Sequence, residues 1–301
     1  MTDSNPKEST RALLSEIVDY AGLFPPSALS MSEAVVNYAT YKNSNYDWML
    51  GRFVVPLRRL PEFVDSGHDF LSRDNESPWR LSVLASQDIS ETIRQIEDFN
   101  AENAPNAVCD AIETKADASW LIENIADAVP PNFAVYFEIP PGEDLADLVS
   151  TLAINKQRAK IRTGGVTADA FPNTAQIIQF MRTCLAANVP FKATAGLHHP
   201  LRCFKPLTYE LNAPETVMNG FLNVFLAAGF LRLGYKPSLI AELFENEWAE
   251  SFLFDDNGVL WRQEHFISTA QLRHMREKNI ISFGSCSFEE PIADLQEIGI
   301  L

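Results

Sequence analysis

Short apolar runs alternate with amphipathic segments along most of the chain. The runs are brief and nearly continuously apolar, which is typical of strands buried on both faces of a parallel sheet. The segments between them repeat apolar residues every three or four positions, as Ile89, Ile93 and Ile96 do, and this period predicts helices. Eight strands are predicted in this way, at residues 17–23, 52–57, 80–86, 107–115, 133–140, 158–164, 191–196 and 280–288.

Strands that alternate with helices along one chain predict a parallel sheet, and eight of them predict its closure into an α/β (β/α)8 TIM barrel. The 301 residues suit one such domain, and no low-complexity linker divides the chain. The rhythm breaks at 197–270, where two helices are predicted near 219–233 and 237–248, with a turn at 255–258. We expect this helical insertion between the seventh and eighth strands to be a lid or a contact between copies of the chain.

Charge and composition narrow the choice of partners. The net charge is −16, whereas nucleic acids and anionic membranes are bound by basic patches, so we expect neither partner. The most apolar stretch, 220–235, is too short to span a bilayer. The first ten residues are polar, unlike a signal peptide, and the four cysteines form no CxxC pair. These features predict a cytoplasmic protein without a disulfide framework or structural zinc.

Two lysines lie in neighbouring predicted strands, Lys160 in the sixth and Lys192 in the seventh. The carboxyl ends of parallel strands meet at one edge of a barrel, so both lysines are expected near one site. Alternate residues share a face, which adds Arg162 and Thr194 to that site. Clustered cations predict a lowered pKa for at least one lysine, and a neutral lysine can attack a carbonyl group. Alternatively, each lysine pairs with an acidic strand residue or binds an anion without covalent chemistry.

Acidic residues lie on the two preceding strands. Asp110 and Glu113 belong to the fourth strand, and Glu138 ends the fifth. Strand parity places Asp110 and Glu113 on opposite faces, unless a bulge intervenes, so one of them is expected inside the barrel. A carboxylate beside a Schiff-base lysine can relay protons, although a buried ion-pair network is an equally simple explanation.

Two further motifs occur where barrel strands end. His198 and His199 follow the seventh strand, where either could contact the substrate or, together with Glu138 or Glu113, bind a divalent metal ion. The metal alternative makes the protein a barrel hydrolase or isomerase. The small-residue sequence GSCS, residues 284–287, ends the eighth strand, where this fold commonly binds phosphate.

These motifs resemble those of the deoxyribose-phosphate aldolases, which are class I aldolases on a TIM barrel. In that family the lysine of the sixth strand is followed by Thr-Gly, as Lys160 is by Thr163 and Gly164. The lysine of the seventh strand lies in a run similar to FKATAG here, and the first strand carries an aspartate before Leu and Pro, as Asp19 does in IVDYAGLFPP. Arg162 has no counterpart, because the family has a small hydroxyl residue there.

The resemblance implies a lyase that forms a Schiff base with a small carbonyl substrate carrying an anionic group, in some cases a phosphate. It implies that Lys160 forms the imine, Lys192 lowers the pKa of Lys160, Asp110 relays protons and Glu138 assists, with no cofactor and no metal. A third interpretation is a non-catalytic barrel that binds an anionic metabolite. The substrate contacts expected from all these arguments are Asp19, Glu113, Arg162, Thr163, Gly164, Thr194, Gly196, His198, His199, Gly284 and Ser285.

Overall fold

A computed structural model describes residues 6–71 and 77–301 of the chain. Its strands are β1 (Val18–Tyr20), β2 (Leu50–Pro56), β3 (Trp79–Leu84), β4 (Ala107–Lys115), β5 (Ala134–Glu138), β6 (Arg158–Arg162), β7 (Phe191–Thr194), β8 (Cys203–Pro206), β9 (Glu215–Met218), β10 (Phe252–Phe254), β11 (Gly258–Trp261), β12 (His265–Ser268) and β13 (Ile280–Ser285). Strands β1 to β7 and β13 form a closed parallel barrel in the order β1–β13–β7–β6–β5–β4–β3–β2. The predicted α/β TIM barrel and its eight strands are therefore confirmed.

Helices connect the strands and cover the outside of the barrel. They are α1 (Glu8–Leu14), α2 (Met31–Lys42), α3 (Leu60–Gly67), α4 (Ile89–Asn103), α5 (Ser119–Ala128), α6 (Leu145–Ile154), α7 (Thr174–Ala186), α8 (Phe221–Arg232), α9 (Pro237–Phe244), α10 (Thr269–Lys278) and α11 (Glu289–Glu297). Polar side chains begin several of them, and Ser30 with Glu33 forms a reciprocal capping box on α2. Among the described residues, no helix combines the length and apolarity needed to cross a bilayer.

The side chains inside the barrel are unusually polar. The outward-facing residues of the strands, such as Phe53, Val83 and Phe137, belong to the buried core between the strands and the helices. The alternate positions point inward, and there β6 carries Arg158, Lys160 and Arg162 instead of the branched apolar residues that usually fill such a barrel. Charged side chains inside a fold need partners, so the ion pairs of the interior determine how this barrel is filled.

The segment between β7 and β13 contains more than the two predicted helices. Strands β8 and β9 form an antiparallel hairpin, and β10, β11 and β12 form a three-stranded antiparallel sheet. Helix α8 packs on the barrel, because Phe221 stacks on Phe283 of β13 with 5.1 Å between ring centroids. The segment is thus a mixed α/β connection, and α8 lies among the covering helices of the barrel.

Candidate active site

A cavity of about 280 Å³ lies at the carboxyl ends of the barrel strands. Its floor includes Glu113, Lys160 and Lys192. Its walls are largely apolar and come from the loop after β1, the ends of β2 and β3, and the β8–β9 hairpin. The apolar wall residues are Phe24, Pro25, Pro26, Val54, Leu84, Val166, Leu207 and Met218. Ligand sites commonly combine an apolar wall with a few convergent polar groups, and this cavity has both.

Lys192 is enclosed at the floor of this cavity by two carboxylates. Its Nζ lies 2.8 Å from Asp19 Oδ2 and 2.5 Å from Glu113 Oε1. The ring centroid of Tyr136 lies 4.9 Å from the same nitrogen, within cation–π range. Burial alone would lower the pKa of Lys192, but the charges of Asp19 and Glu113 outweigh it and the pKa is raised. The lysine expected to have a lowered pKa is therefore not Lys192, because carboxylates lie between the cations.

Lys160 is held by a second pair of carboxylate oxygens. Its Nζ lies 2.8 Å from Glu113 Oε2 and 2.8 Å from Glu138 Oε2. Glu113 therefore bridges the two lysines, one through each oxygen. Burial would raise the pKa of Glu113, but Lys160 and Lys192 lower it well below its usual range. Both lysines thus share one ionised carboxylate at the floor of the cavity.

Arg162 extends the same network towards the solvent. Its Nε lies 3.2 Å from Glu138 Oε1, and 47% of its side chain is exposed. Burial would raise the pKa of Glu138, but Lys160 and then Arg162 lower it. Three cations and three carboxylates are now present, counting Asp19, so the cluster is neutral when every group is ionised. The sequence correctly predicted that Lys160 and Arg162 share a face.

Hydroxyl groups complete the hydrogen bonds of the buried carboxylates. Ser82 Oγ donates to Glu113 Oε1 at 2.6 Å, and Ser282 Oγ donates to Asp19 Oδ2 at 2.7 Å. The backbone N–H of Arg52 donates to Asp19 Oδ1 at 2.9 Å. Neither serine nor Tyr136 was predicted from the sequence, although strand parity was an available signal. Tyr136 precedes Glu138 by two residues, and Ser282 precedes Gly284 by two.

Asp110 does not join the lysines. Its carboxylate forms a bidentate pair with Arg52, at 2.6 and 2.9 Å, and accepts from Arg80 Nε at 2.8 Å. The cause is a bulge in β4, since Leu81 pairs with Cys109 and Ser82 with Ala111, which leaves Asp110 without a partner in the ladder. The bulge allows Asp110 and Glu113 to point into the same interior at different heights. Asp110 lies nearer the amino ends of the strands, so the expected contact with Lys160 is corrected to Glu113.

The two adjacent histidines contact α11. His198 Nδ1 lies 3.0 Å from Glu290 Oε2, and His199 Nδ1 lies 2.6 Å from Asp294 Oδ2. His198 lines the cavity, whereas His199 does not. Within the described part of the chain, no group of three or more His, Cys, Asp or Glu side chains is placed to hold a metal ion. The ligand set proposed for the metal alternative is therefore not assembled, because Glu138 contacts Lys160 and Arg162 instead.

The GSCS segment is only partly at the cavity. Gly284 lines it, but Ser285 is buried outside it and its Oγ accepts from the N–H of Ser287 at 3.3 Å. The Ser287 hydroxyl in turn accepts from the N–H of Glu290, in the first turn of α11. These donors have partners within the segment, and two glutamates begin the helix. The N–H groups of Ser287 and Glu290 are thus engaged within the segment, Ser285 does not line the cavity, and phosphate binding stays a prediction.

The ends of β6 and β7 meet through two glycines. A methyl group built on Gly164 would lie 2.8 Å from the Cα of Gly196, which itself has φ +72° and lines the cavity. Thr194 also lines the cavity, but Thr163 donates its hydroxyl to the carbonyl of Ala195 at 2.6 Å and faces away. Thr163 and Gly164 therefore shape the two strand ends and do not line the cavity, contrary to their expected substrate contact.

Comparison with known proteins adds no assignment. No protein-family model matches this chain, and no curated protein matches it significantly.

Proposed function

We propose that this TIM barrel is a lyase of the class I aldolase type, in which Lys160 forms an imine with a small carbonyl substrate. The observation that supports it is the position of the Lys160 amine, on the floor of the cavity and between two carboxylates at 2.8 Å. A lysine that reacts with a carbonyl compound needs a neighbouring base to take its proton and an enclosed site that excludes water. Both are present around Lys160.

Glu113 takes the relay role that the resemblance gave to Asp110. One of its oxygens binds Lys160, and Lys192 on the other keeps the carboxylate ionised. Glu138 is the second group within reach of the amine. Lys192 is a positioning group in this proposal, because it is enclosed by Asp19, Glu113 and Tyr136 and only 2% of its side chain is exposed.

The proposed reaction has three stages: imine formation, carbon–carbon bond cleavage and hydrolysis of the product imine. Lys160 passes a proton to Glu113 or Glu138 and attacks the carbonyl carbon, and loss of water leaves a protonated imine. A carboxylate then takes the proton of the β-hydroxyl group, the adjacent carbon–carbon bond breaks, and its electrons move into the imine to give an enamine. Protonation of the enamine carbon and addition of water release the second carbonyl product and regenerate the amine.

Arg162 is proposed to bind an anionic substituent of the substrate. It lines the cavity, follows Lys160 by two strand positions and therefore lies roughly 6.6 Å further along the strand. The planar guanidinium suits a carboxylate, which it can bind with two parallel hydrogen bonds. A cytoplasmic setting is part of the same proposal, since all four cysteines are free thiols.

Reductive trapping tests the imine directly. The protein is incubated with glycolaldehyde, acetone or pyruvate, reduced with borohydride, digested and mapped by mass spectrometry. We expect the adduct on Lys160 ahead of the exposed Lys205, and we expect Lys160→Met to remove it. A barrel that only binds anions, or that only pairs its buried charges, would bind pyruvate or nothing and would show no adduct on Lys160.

A further inference from the structure

Two His–carboxylate pairs lie side by side at the mouth of the barrel. Glu290 and Asp294 are four residues apart on α11, so they share one face of that helix and hold His198 and His199 respectively. The two pairs differ in one respect: His198 lines the cavity that contains Lys160, and His199 does not. The proposed imine chemistry has so far used no group on this side of the cavity.

The contacts of His198 fix which edge of its ring is available. Glu290 is ionised, since its pKa is lowered by His198 and Tyr209 against the effect of burial, and an ionised carboxylate can only accept hydrogen bonds. Nδ1 of His198 therefore donates to Glu290 Oε2. In the neutral form of this tautomer, the lone pair is on Nε2, at the opposite edge of the ring. Tyr209, in the loop between β8 and β9, donates to the same oxygen at 2.9 Å and fixes the carboxylate from the other side.

His198 and Lys160 line the same small cavity. A sphere of the cavity volume of 280 Å³ is about 8 Å across, close to the length of a small carbonyl compound with its imine. The carboxylates at the floor are engaged by lysines, whereas the wall that carries His198 offers a base whose own partner is a carboxylate, Glu290.

We propose that His198 is an acid–base residue that moves the proton on the carbon next to the imine, and that Glu290 and Tyr209 are its positioning residues. This inference rests on the proposed function. Nε2 removes a proton from the α-carbon, the C–H electrons form the C=C bond of the enamine, and the C=N electrons return to nitrogen. The imidazolium returns the proton to carbon in the reverse step.

The groups around His198 belong to three elements. Glu290 and Asp294 come from α11, Tyr209 comes from the β8–β9 connection, and Cys286 lines the same cavity. The ring of His199 lies 6.4 Å away, centroid to centroid. Burial raises the pKa of Cys286, so its thiol stays protonated at neutral pH and does not compete as the base.

Hydrogen–deuterium exchange isolates this proton transfer. The protein is incubated with pyruvate or acetone in D₂O, the loss of methyl protons is followed by NMR, and borohydride trapping on Lys160 is measured in parallel. We expect His198→Gln to lower the exchange rate at least about 100-fold, the usual contribution of a general base, while trapping on Lys160 stays within about twofold. Exchange as fast in His198→Gln as in the unaltered protein would overturn the proposal.

The neighbouring pair supplies a matched control for Glu290. We expect Glu290→Ala to slow exchange at least about tenfold and Glu290→Gln to restore part of it, whereas Asp294→Ala on the same helix stays within about twofold. Nitrogen-15 NMR of the imidazoles tests separately whether Glu290 fixes the tautomer of His198. The Nδ1–H form of His198 should be lost in Glu290→Ala and kept in Glu290→Gln. Equal losses of exchange in Glu290→Ala and Asp294→Ala would overturn the assignment, because they would reflect only a disturbed helix.

The outcomes separate the two proposals. If no adduct forms on Lys160 of the unaltered protein, both the imine and the role of His198 are wrong. If the adduct forms and exchange is lost only in Glu113→Gln, the proposed function holds and the role of His198 is wrong.

Discussion

The two ends of the barrel interior use different cations for their buried charges. At the carboxyl ends of the strands, Lys160 and Lys192 alternate with Asp19, Glu113 and Glu138 beneath a cavity. At the amino ends, Arg52 and Arg80 hold Asp110, and Arg80 also contacts Glu16. Arginine remains charged and binds a carboxylate with a rigid fork, whereas lysine can lose its proton and become a nucleophile.

This difference separates the arginine-paired end from the end that carries the lysine proposed to react. Burial disfavours the charged forms of Arg52 and Asp110, but the hydrogen bonds between them outweigh it. The pKa of Asp110 is therefore lowered and that of Arg52 is raised. Such a pair keeps its charges over the whole physiological range. The lysine cluster is also ion-paired, but both of its amines lie at the floor of a cavity, and Lys160 is the more exposed of the two, at 7% against 2% for Lys192. We therefore expect exchanges between lysine and arginine to have opposite consequences at the two ends.

Lys160→Arg is expected to have the largest effect. Arginine keeps a positive charge between Glu113 and Glu138 but cannot form an imine, so adduct formation and turnover should fall about 10³-fold or more with the fold retained. Arg52→Lys is the reciprocal change at the other end, and it should destabilise the protein by about 1–3 kcal/mol without affecting trapping on Lys160. Trapping assays and urea denaturation of both variants check the pair. Wild-type trapping in Lys160→Arg would contradict the assignment.

Glu113→Gln should cause the next largest change. It removes the carboxylate that both buried lysines share, and breaking a buried ion pair costs about 3–5 kcal/mol. Asp110→Asn leaves Arg52 and Arg80 near the barrel end, where 28% of the Asp110 side chain is exposed, and we expect about 1–2 kcal/mol. Trapping on Lys160 should fall sharply in the first variant and stay within about threefold in the second. A larger loss of trapping in Asp110→Asn would restore the relay role to Asp110.

The lysine cluster should make the free energy of unfolding nearly constant over a broad range of pH. Glu113 has an ordinary pKa of 4.5 that is lowered by folding, so its contribution is complete above that pH and is lost as the pH falls through the folded pKa. Lys192 has an ordinary pKa of 10.5 that is raised, so its contribution is complete below that pH and is lost as the pH rises through the folded pKa. Urea unfolding should thus give a flat free energy between about pH 5.5 and 9.5.

The same pH series of urea unfolding on Glu113→Gln isolates the contribution of Glu113. Its acid limb should lack the loss of stability that protonation of Glu113 causes in the unaltered protein, while the limb due to other carboxylates remains. An identical acid limb in both proteins would show that the pKa of Glu113 is not lowered by folding.

Arg162→Gln is expected to have the smallest effect on stability. The side chain is 47% exposed and its ion pair with Glu138 is at 3.2 Å, so the free energy of unfolding should change by less than about 0.5 kcal/mol. Trapping of pyruvate should nevertheless require about tenfold more ligand, while trapping of neutral acetone is unchanged. Equal losses for both probes would show that Arg162 acts on the imine itself and not on an anionic substituent.

The fold could be predicted because its signals are local. Alternation of buried strands and helices is visible in any short window, and the parity of β6 is enough to put Lys160 and Arg162 on one face. The sequence could not show that Glu113, and not Asp110, contacts Lys160, because the bulge in β4 depends on how that strand pairs with β3. A change of one position in register turns a strand residue to the other face.

The strands of the connection between β7 and β13 could not be predicted from the sequence either. Its five strands have only three or four residues each, too few for a period of two to stand out beside α8 and α9. The predicted turn at 255–258 does coincide with the link between β10 and β11. His198 contacts Glu290, 92 positions further along the sequence, and Glu290 accepts from Tyr209, 81 positions before it, so only the fold brings these groups together.

The contact between Gly164 and Gly196 has a consequence for motion. With no side chain between them, the backbones of the loops after β6 and β7 approach so closely that a Cβ added to either glycine would lie 2.8 Å from the Cα of the other. Gly164 follows Arg162 by two residues, and Gly196 precedes His198 by two. We therefore expect Arg162 and His198, the residues proposed to bind an anion and to move a proton, to shift together, so that a ligand bound by Arg162 also repositions His198.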